Sequence, residues 1–339
     1  MKNEKANALF HHHSSTAASS KKTSGLLVLT ALLFAASGVL SAQAGKSYSQ
    51  LKAEHPGWSQ VPGQLIRPDC VHRVAKGSQL EIGTDGYPNG NVKMNGQVIA
   101  HYDACPEAAI DTRGVDSQRQ HDPGTGGWVE DSEWQLSLSN SDNIDVISND
   151  WLVPPYPSQS GALVYLFNGV EPTKGGYIMQ PVLQFGDNGS FGGEYYSLAS
   201  WLVGPPGSGI VFVSDPITVN PGDEIWGLVE ETGVSGNTLS YFVQAVDLAS
   251  GASTYLPVEA TGFHWTLAFE GVLEAYNVTS CAQFSSFGSI QFAHTFLAHG
   301  FPKYDYYGTL KFGGVIRNYG GPSCGFAVNV NGRTATLDF

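Results

Sequence analysis

The stretch Ile178-Met179-Gln180-Pro181-Val182-Leu183-Gln184-Phe185-Gly186-Asp187 reads as a strand. At a period of two, Gln180 and Gln184 share one face, and Met179 and Leu183 share the other. A second stretch, His264-Trp265-Thr266-Leu267-Ala268-Phe269-Glu270-Gly271-Val272-Leu273-Glu274-Ala275-Tyr276, reads the same way and puts Glu270 and Glu274 on one face. Working outward, apolar runs of strand length recur at 162–167, 210–213, 224–229, 239–246 and 326–330. Turn residues separate them: Asp187-Asn188-Gly189, Pro205-Pro206-Gly207, Asn220-Pro221-Gly222-Asp223 and Asn331-Gly332. Strands at a spacing of ~8–12 residues argue for an antiparallel sandwich or barrel. No internal repeat of fixed period is visible.

Composition agrees. The chain has 339 residues, 42% hydrophobic and 12% aromatic, with 41 Gly and 18 Pro. Charged residues are 14%, against ~25% in an average domain. Coiled coils and helical solenoids are excluded, and the aromatics argue against disorder. The net charge of -13 repels phosphate backbones, so nucleic acid is not an expected partner.

Residues 1–44 read as an export signal. Lys2, Lys5, Lys21 and Lys22 precede an apolar run over 25–40, and Ala42-Gln43-Ala44 is a small-x-small cleavage site. The rest is expected to be secreted or periplasmic, with no membrane contact after cleavage. Cys70, Cys105, Cys281 and Cys324 suit that compartment, and their spacing is not that of a zinc knuckle. Three pairings are possible. Cys70–Cys105 and Cys281–Cys324 are favoured because each stays within one region. Residues 45–148 are polar, with short β-like pieces at 92–94 and 97–100 and a charged, Gly-rich stretch at 111–127. From Asn149 the texture changes to strands. The domain expectation is therefore a leader over 1–44, an extension or pro-region over 45–148, and a sandwich domain over 149–339.

Several chemistries fail on inspection. Gly321-Pro322-Ser323-Cys324-Gly325 matches GxSxG, but a nucleophile elbow needs a strand before it and a helix after it, and a strand follows here. His264, His294 and His299 fit no zinc spacing. The Gln and Glu side chains on the two apolar strands remain. Burying them is costly without partners or a task. If the two strands are neighbours, these side chains form one patch that can perform hydrolysis, a carboxylate taking a proton from water and an amide donating to the oxyanion; the alternative is the solvated outer face of an ordinary sheet.

These residues resemble the eqolisin family of glutamic peptidases. Val182-Leu183-Gln184-Phe185-Gly186 is similar to the strand that carries the family's catalytic Gln. Glu270-Gly271-Val272-Leu273-Glu274-Ala275-Tyr276 keeps the Glu-x-x-x-Glu spacing of the strand that carries its catalytic Glu. Asn149-Asp150-Trp151, Thr218-Val219-Asn220-Pro221-Gly222-Asp223-Glu224-Ile225, Phe284-Ser285-Ser286-Phe287 and Gln291-Phe292 echo other family segments in the same order over 149–339. The departures are a missing tryptophan, where Tyr165 or Phe167 stands, and Ser197-Leu198-Ala199-Ser200-Trp201 without the family's carboxylate.

The resemblance implies an all-β, concanavalin-like antiparallel sandwich of two curved seven-stranded sheets, with a smaller β-rich N-terminal extension. It implies an exported, acid-acting, monomeric endopeptidase that takes polypeptide substrates and uses no cofactor or metal. Gln184 and Glu270 would be the dyad, Glu274 the alternate acid, and Gln180, Trp151 and Trp201 supporting residues. The family carries a propeptide where 45–148 lies. The competing expectation is a non-catalytic sandwich that binds glycan or another surface ligand through Trp151, Trp201, Trp226 and Trp265. The two differ geometrically: a dyad requires Gln184 and Glu270 to meet at the floor of an open groove.

Overall fold

In the computed structural model, which describes residues 46–83, 89–112, 125–137, 142–172, 176–205, 207–300, 305–306, 311–317 and 321–339, the alternating runs become strands. The structure is almost all β: of the described residues, 62% are in strands and 6% in helices. Among the described residues one sheet has nine strands. Its centre runs in the order Thr125–Gln135, Trp265–Val278, Leu163–Pro172, Ile178–Asp187 and Gly192–Val203. The other has eleven, centred on Ile144–Leu152, Glu224–Ser235, Thr238–Asp247 and Ser253–Thr261. The expected sandwich is present, with wider sheets than the seven strands the resemblance implied.

The extra width comes partly from the N-terminal residues. Val71–Val74 adds to the first sheet beside Val211–Ser214, and Gln79–Gly83 adds to the second beside Ser253–Thr261. Both joints are parallel, whereas the other pairings among the described strands are antiparallel. Asn89–Met94 and Gln97–Asp103 continue the second sheet. The texture change at Asn149 falls inside the strand Ile144–Leu152. The described residues lie in one unit, 44–339.

Met179, Leu183, Leu273 and Ala275 of the first sheet pack against the inner face of the second, among Val243, Ala245 and Phe292. The first sheet is also buried on its outer face. There Tyr165, Phe167, Val182, Trp201, Phe269 and Tyr276 pack with Tyr48, Val61, Ile66, Cys70 and Ala108 of the N-terminal residues. A sheet covered on both sides explains why Ile178–Asp187 is buried along all but its last residue. Each such large apolar side chain contributes about 1.5–3 kcal/mol by leaving water.

The cover is a helix, Tyr48–Glu54, and a hairpin. Ser47 caps the helix, and Gln50 returns the bond to the Ser47 backbone, so both exposed donors are used. Ser59–Val61 turns through Pro62 and Gly63 into Gln64–Ile66, and Ala109–Asp111 adds a third strand. Gly63 has φ 72, which suits a residue without Cβ. Disulfides join Cys70 to Cys105 and Cys281 to Cys324, the two favoured pairings, as an oxidising compartment would produce. No described helix is long and apolar enough to cross a membrane. The leader lies outside the described residues, as do 113–124 of the charged stretch.

Candidate active site

Three strands build the centre of the first sheet, and one cross-strand row on its outer face brings three polar side chains together. Tyr165 pairs with Gln184 on one side and with Glu274 on the other. All three are 1% exposed or less. Two same-face rows further along, past Phe167 and Val182, Gln180 pairs with Trp201. Gln180 and Gln184 share this outer face, as a period of two requires, while Met179 and Leu183 point inward.

Glu270 is elsewhere, and this corrects the expectation that it shares a face with Glu274 and meets Gln184. The strand Trp265–Val278 bulges at Glu270–Gly271: Phe269 pairs with Glu133 and Gly271 with Ser132, so Glu270 is an extra residue. The extra residue shifts the alternation. Phe269, Val272, Glu274 and Tyr276 face outward, and Glu270 turns in between the sheets. Ser132 donates to its carboxylate at 3.0 Å, and Asn149 of the second sheet donates to its carbonyl. Burial raises the Glu270 carboxyl above its ordinary pKa, against the lowering effect of hydrogen bonds from Thr295 and Ser132. Gly271 was the available signal, since glycine inside a strand often marks a bulge. Its inward Cβ position is filled by the Phe292 ring of the other sheet.

The floor of the outer face is not an open groove. The N-terminal hairpin lies across the row. Its tip reaches Glu274, where the Gly63 N–H donates to Oε1 at 2.7 Å, and the Tyr276 hydroxyl donates to the same oxygen. The Tyr165 hydroxyl donates to the Gln60 carbonyl, and the Gln60 N–H donates to the Asn188 carbonyl at 2.7 Å. Burial, with Glu274 adding to it, pushes the hydroxyls of Tyr48, Tyr165 and Tyr276 above the usual phenol range. They therefore stay protonated and able to donate. Gln184 is held by the turn that follows it. Its amide donates to the Gly186 and Phe191 carbonyls at 2.8 and 3.1 Å, and its carbonyl accepts from Asn188 at 3.0 Å. Gln180 differs: it is fully buried, and neither amide atom has a hydrogen-bond partner among the described residues. Gln180 and Glu274 both line a residual cavity of about 10 Å³ beneath Gly63 and Gln64, about the space of one water.

No family model matches the chain, and no curated protein matches it. Solved structures do. Scytalido-glutamic peptidase with a transition state analog inhibitor is 14% identical at a TM-score of 0.40, over 64% of this chain and 100% of that one. SCP-B, a member of the eqolisin family in a complex with a tripeptide Ala-Ile-His, is 15% identical at 0.37, over 63% and 100%. Aspergilloglutamic peptidase from Aspergillus niger is 17% identical at 0.32, over 52% and 98%. The likeness is distant at these values and assigns no residue a role.

Of the other expected residues, Trp201 belongs to the outer face, stacked on Phe191 with ring centroids 5.5 Å apart. Trp151 lies between the sheets against Phe292, so it cannot touch a ligand on the outer face. Trp265 is equally buried, and of the four tryptophans expected to bind a sugar only Trp226 is half-buried, which leaves that set few ring faces. Cys324 of the GxSxG match is in a disulfide, and no helix follows. His294 pairs with Asp150 and His299 with Asp142. Sequence reasoning missed Gly63, Tyr276 and Asn188, because their roles exist only once the N-terminal hairpin is seated on the sheet.

Proposed function

We propose that this chain is a latent hydrolase of peptide bonds, with Glu274 as its acid–base group and Gln184 as its amide, closed by its own N-terminal hairpin. One observation carries the reading. A carboxylate and a carboxamide stand on either side of Tyr165 in one buried row, and a peptide N–H is seated on the carboxylate. That N–H occupies the place of a leaving-group nitrogen. When a substrate replaces the hairpin, the Glu274 carboxylate takes a proton from water as the water oxygen bonds to the scissile carbonyl carbon. The Gln184 amide donates to the resulting oxyanion. The tetrahedral species then collapses, the C–N bond breaks, and the proton held by Glu274 passes to the departing nitrogen. One water is consumed, and Glu274 returns to its starting state.

The hairpin also explains why Gln184 is engaged in the closed form. Gln60 and Ser59 hold the turn at Asn188 and Ser190, and that turn holds the amide. Withdrawing the hairpin frees the turn, and with it an amide hydrogen. The deciding experiment compares casein cleavage between about pH 2 and 7 for the wild type, Glu274→Gln and Glu270→Gln, before and after limited proteolysis of the N-terminal residues. The reading expects activity in the processed wild type and in Glu270→Gln, and none in Glu274→Gln. A processed wild type that cleaves nothing ends it. The roles expected for Glu270 and Trp151 are not carried forward, because both side chains lie between the sheets.

A further inference from the structure

The hairpin residue after Gly63 is Gln64, and its side chain is 1% exposed. Its amide nitrogen donates to the Gly204 carbonyl at 3.0 Å, and its amide oxygen accepts from the Gly209 N–H at 3.2 Å. Gly204 also bonds to Ile210 through its own N–H, and the Gly209 carbonyl accepts from Cys105. The two groups facing Gln64 are therefore one acceptor and one donor, fixed by backbone. Ile178 and Val203 wall the same cavity, and the fully buried Gln180 amide, without a hydrogen-bond partner among the described residues, lines it too.

We infer that Gly204, Gly209 and Gln180 form a substrate subsite for a primary carboxamide side chain, Gln or Asn, filled in this chain by its own Gln64. The chemistry is selective. A carboxamide satisfies both backbone groups at once. A carboxylate faces the Gly204 carbonyl with a second acceptor, and a hydrocarbon leaves both groups buried and unpaired, a loss of about tenfold or more in affinity. Gly209 has φ 68, and a Cβ there would meet the Cys105 carbonyl at 2.1 Å, so the donor is held rigidly by a residue that only glycine can be. The inference rests on the reading of Glu274 given above in one respect. If the Gly63 nitrogen marks the leaving group, the carboxamide belongs to the second residue on the leaving side.

Two measurements test it. In full-length, disulfide-bonded Gln64→Gly, propionamide at tens of millimolar should raise the melting temperature by on the order of 2–4 °C, whereas propionate should not, and the wild type should respond to neither. Equal shifts with amide and acid, or none with the amide, overturn the subsite. Should Gln64→Gly not fold, Gln64→Ala with acetamide against acetate makes the same comparison. Second, products released from a peptide library by the processed protein should carry Gln or Asn as the second residue of the new N-terminus about tenfold more often than Glu or Leu. Cleavage without that preference sinks the subsite and leaves the hydrolase. If no peptide is cut, the hydrolase reading fails, and the amide-rescue result still decides the pocket.

Discussion

Glu274, Gln184 and Glu270 were all within reach of the sequence, and what separated them was one bulged residue. The strand alternation placed Gln180 and Gln184 on a shared face, because no register shift falls between them; the irregularity of Ile178–Asp187 comes later, at Phe185–Gly186. It failed for Glu270, because a period of two carries no information about an inserted residue. The consequence is testable at single side chains. Glu274→Gln should abolish cleavage, since an amide cannot take water's proton. Gln184→Ala should lower the rate by about 10²–10³, as loss of one oxyanion donor does. Steady-state assays at acid pH separate these from Glu270→Gln, which should keep its activity. Glu130 gives a prediction for stability. Burial first, then Asp338 and Asp131, push its carboxyl up to about 8. The neutral acid is thus the form favoured by the fold, so this group's contribution is complete below the unfolded pKa near 4.5. It is lost as pH rises toward 8. Glu130→Gln should therefore melt above the wild type at pH 8 and close to it at pH 4.

At the scale of elements, the strands and turns of 149–339 were legible because apolar or alternating runs of strand length recur between turn residues. The hairpin was not. Ser59–Ile66 holds few residues, its strands are three residues each, and both are buried, so alternation does not show. Its importance comes from where it docks, which is a matter of contacts more than 200 residues apart in sequence. Gly63→Pro should test the docking. Proline removes the N–H given to Glu274 and cannot adopt φ 72. The intact variant should expose the Tyr165 row, seen as faster hydrogen exchange over 59–66, and should cleave casein without prior processing. Unchanged exchange and continued latency would show that the tip does not hold the hairpin down.

Across the whole molecule, the sandwich was readable from turn spacing, whereas the two parallel joints that bring Val71–Val74 and Gln79–Gly83 into its sheets were not, since parallel partners far apart leave no local mark. Cys281–Cys324 closes 43 residues around the C-terminal strands. Cys281→Ser with Cys324→Ser should cost on the order of 2–4 kcal/mol in denaturant unfolding. The other disulfide has a different consequence. Cys70 and Cys105 both precede residue 112, and Cys281 and Cys324 both follow residue 125. A single cut between 112 and 125 therefore yields two chains with no covalent link. Their association then obeys mass action: reductant does not separate them, dilution does, and the separated halves regain the closed form at a rate set by their concentration.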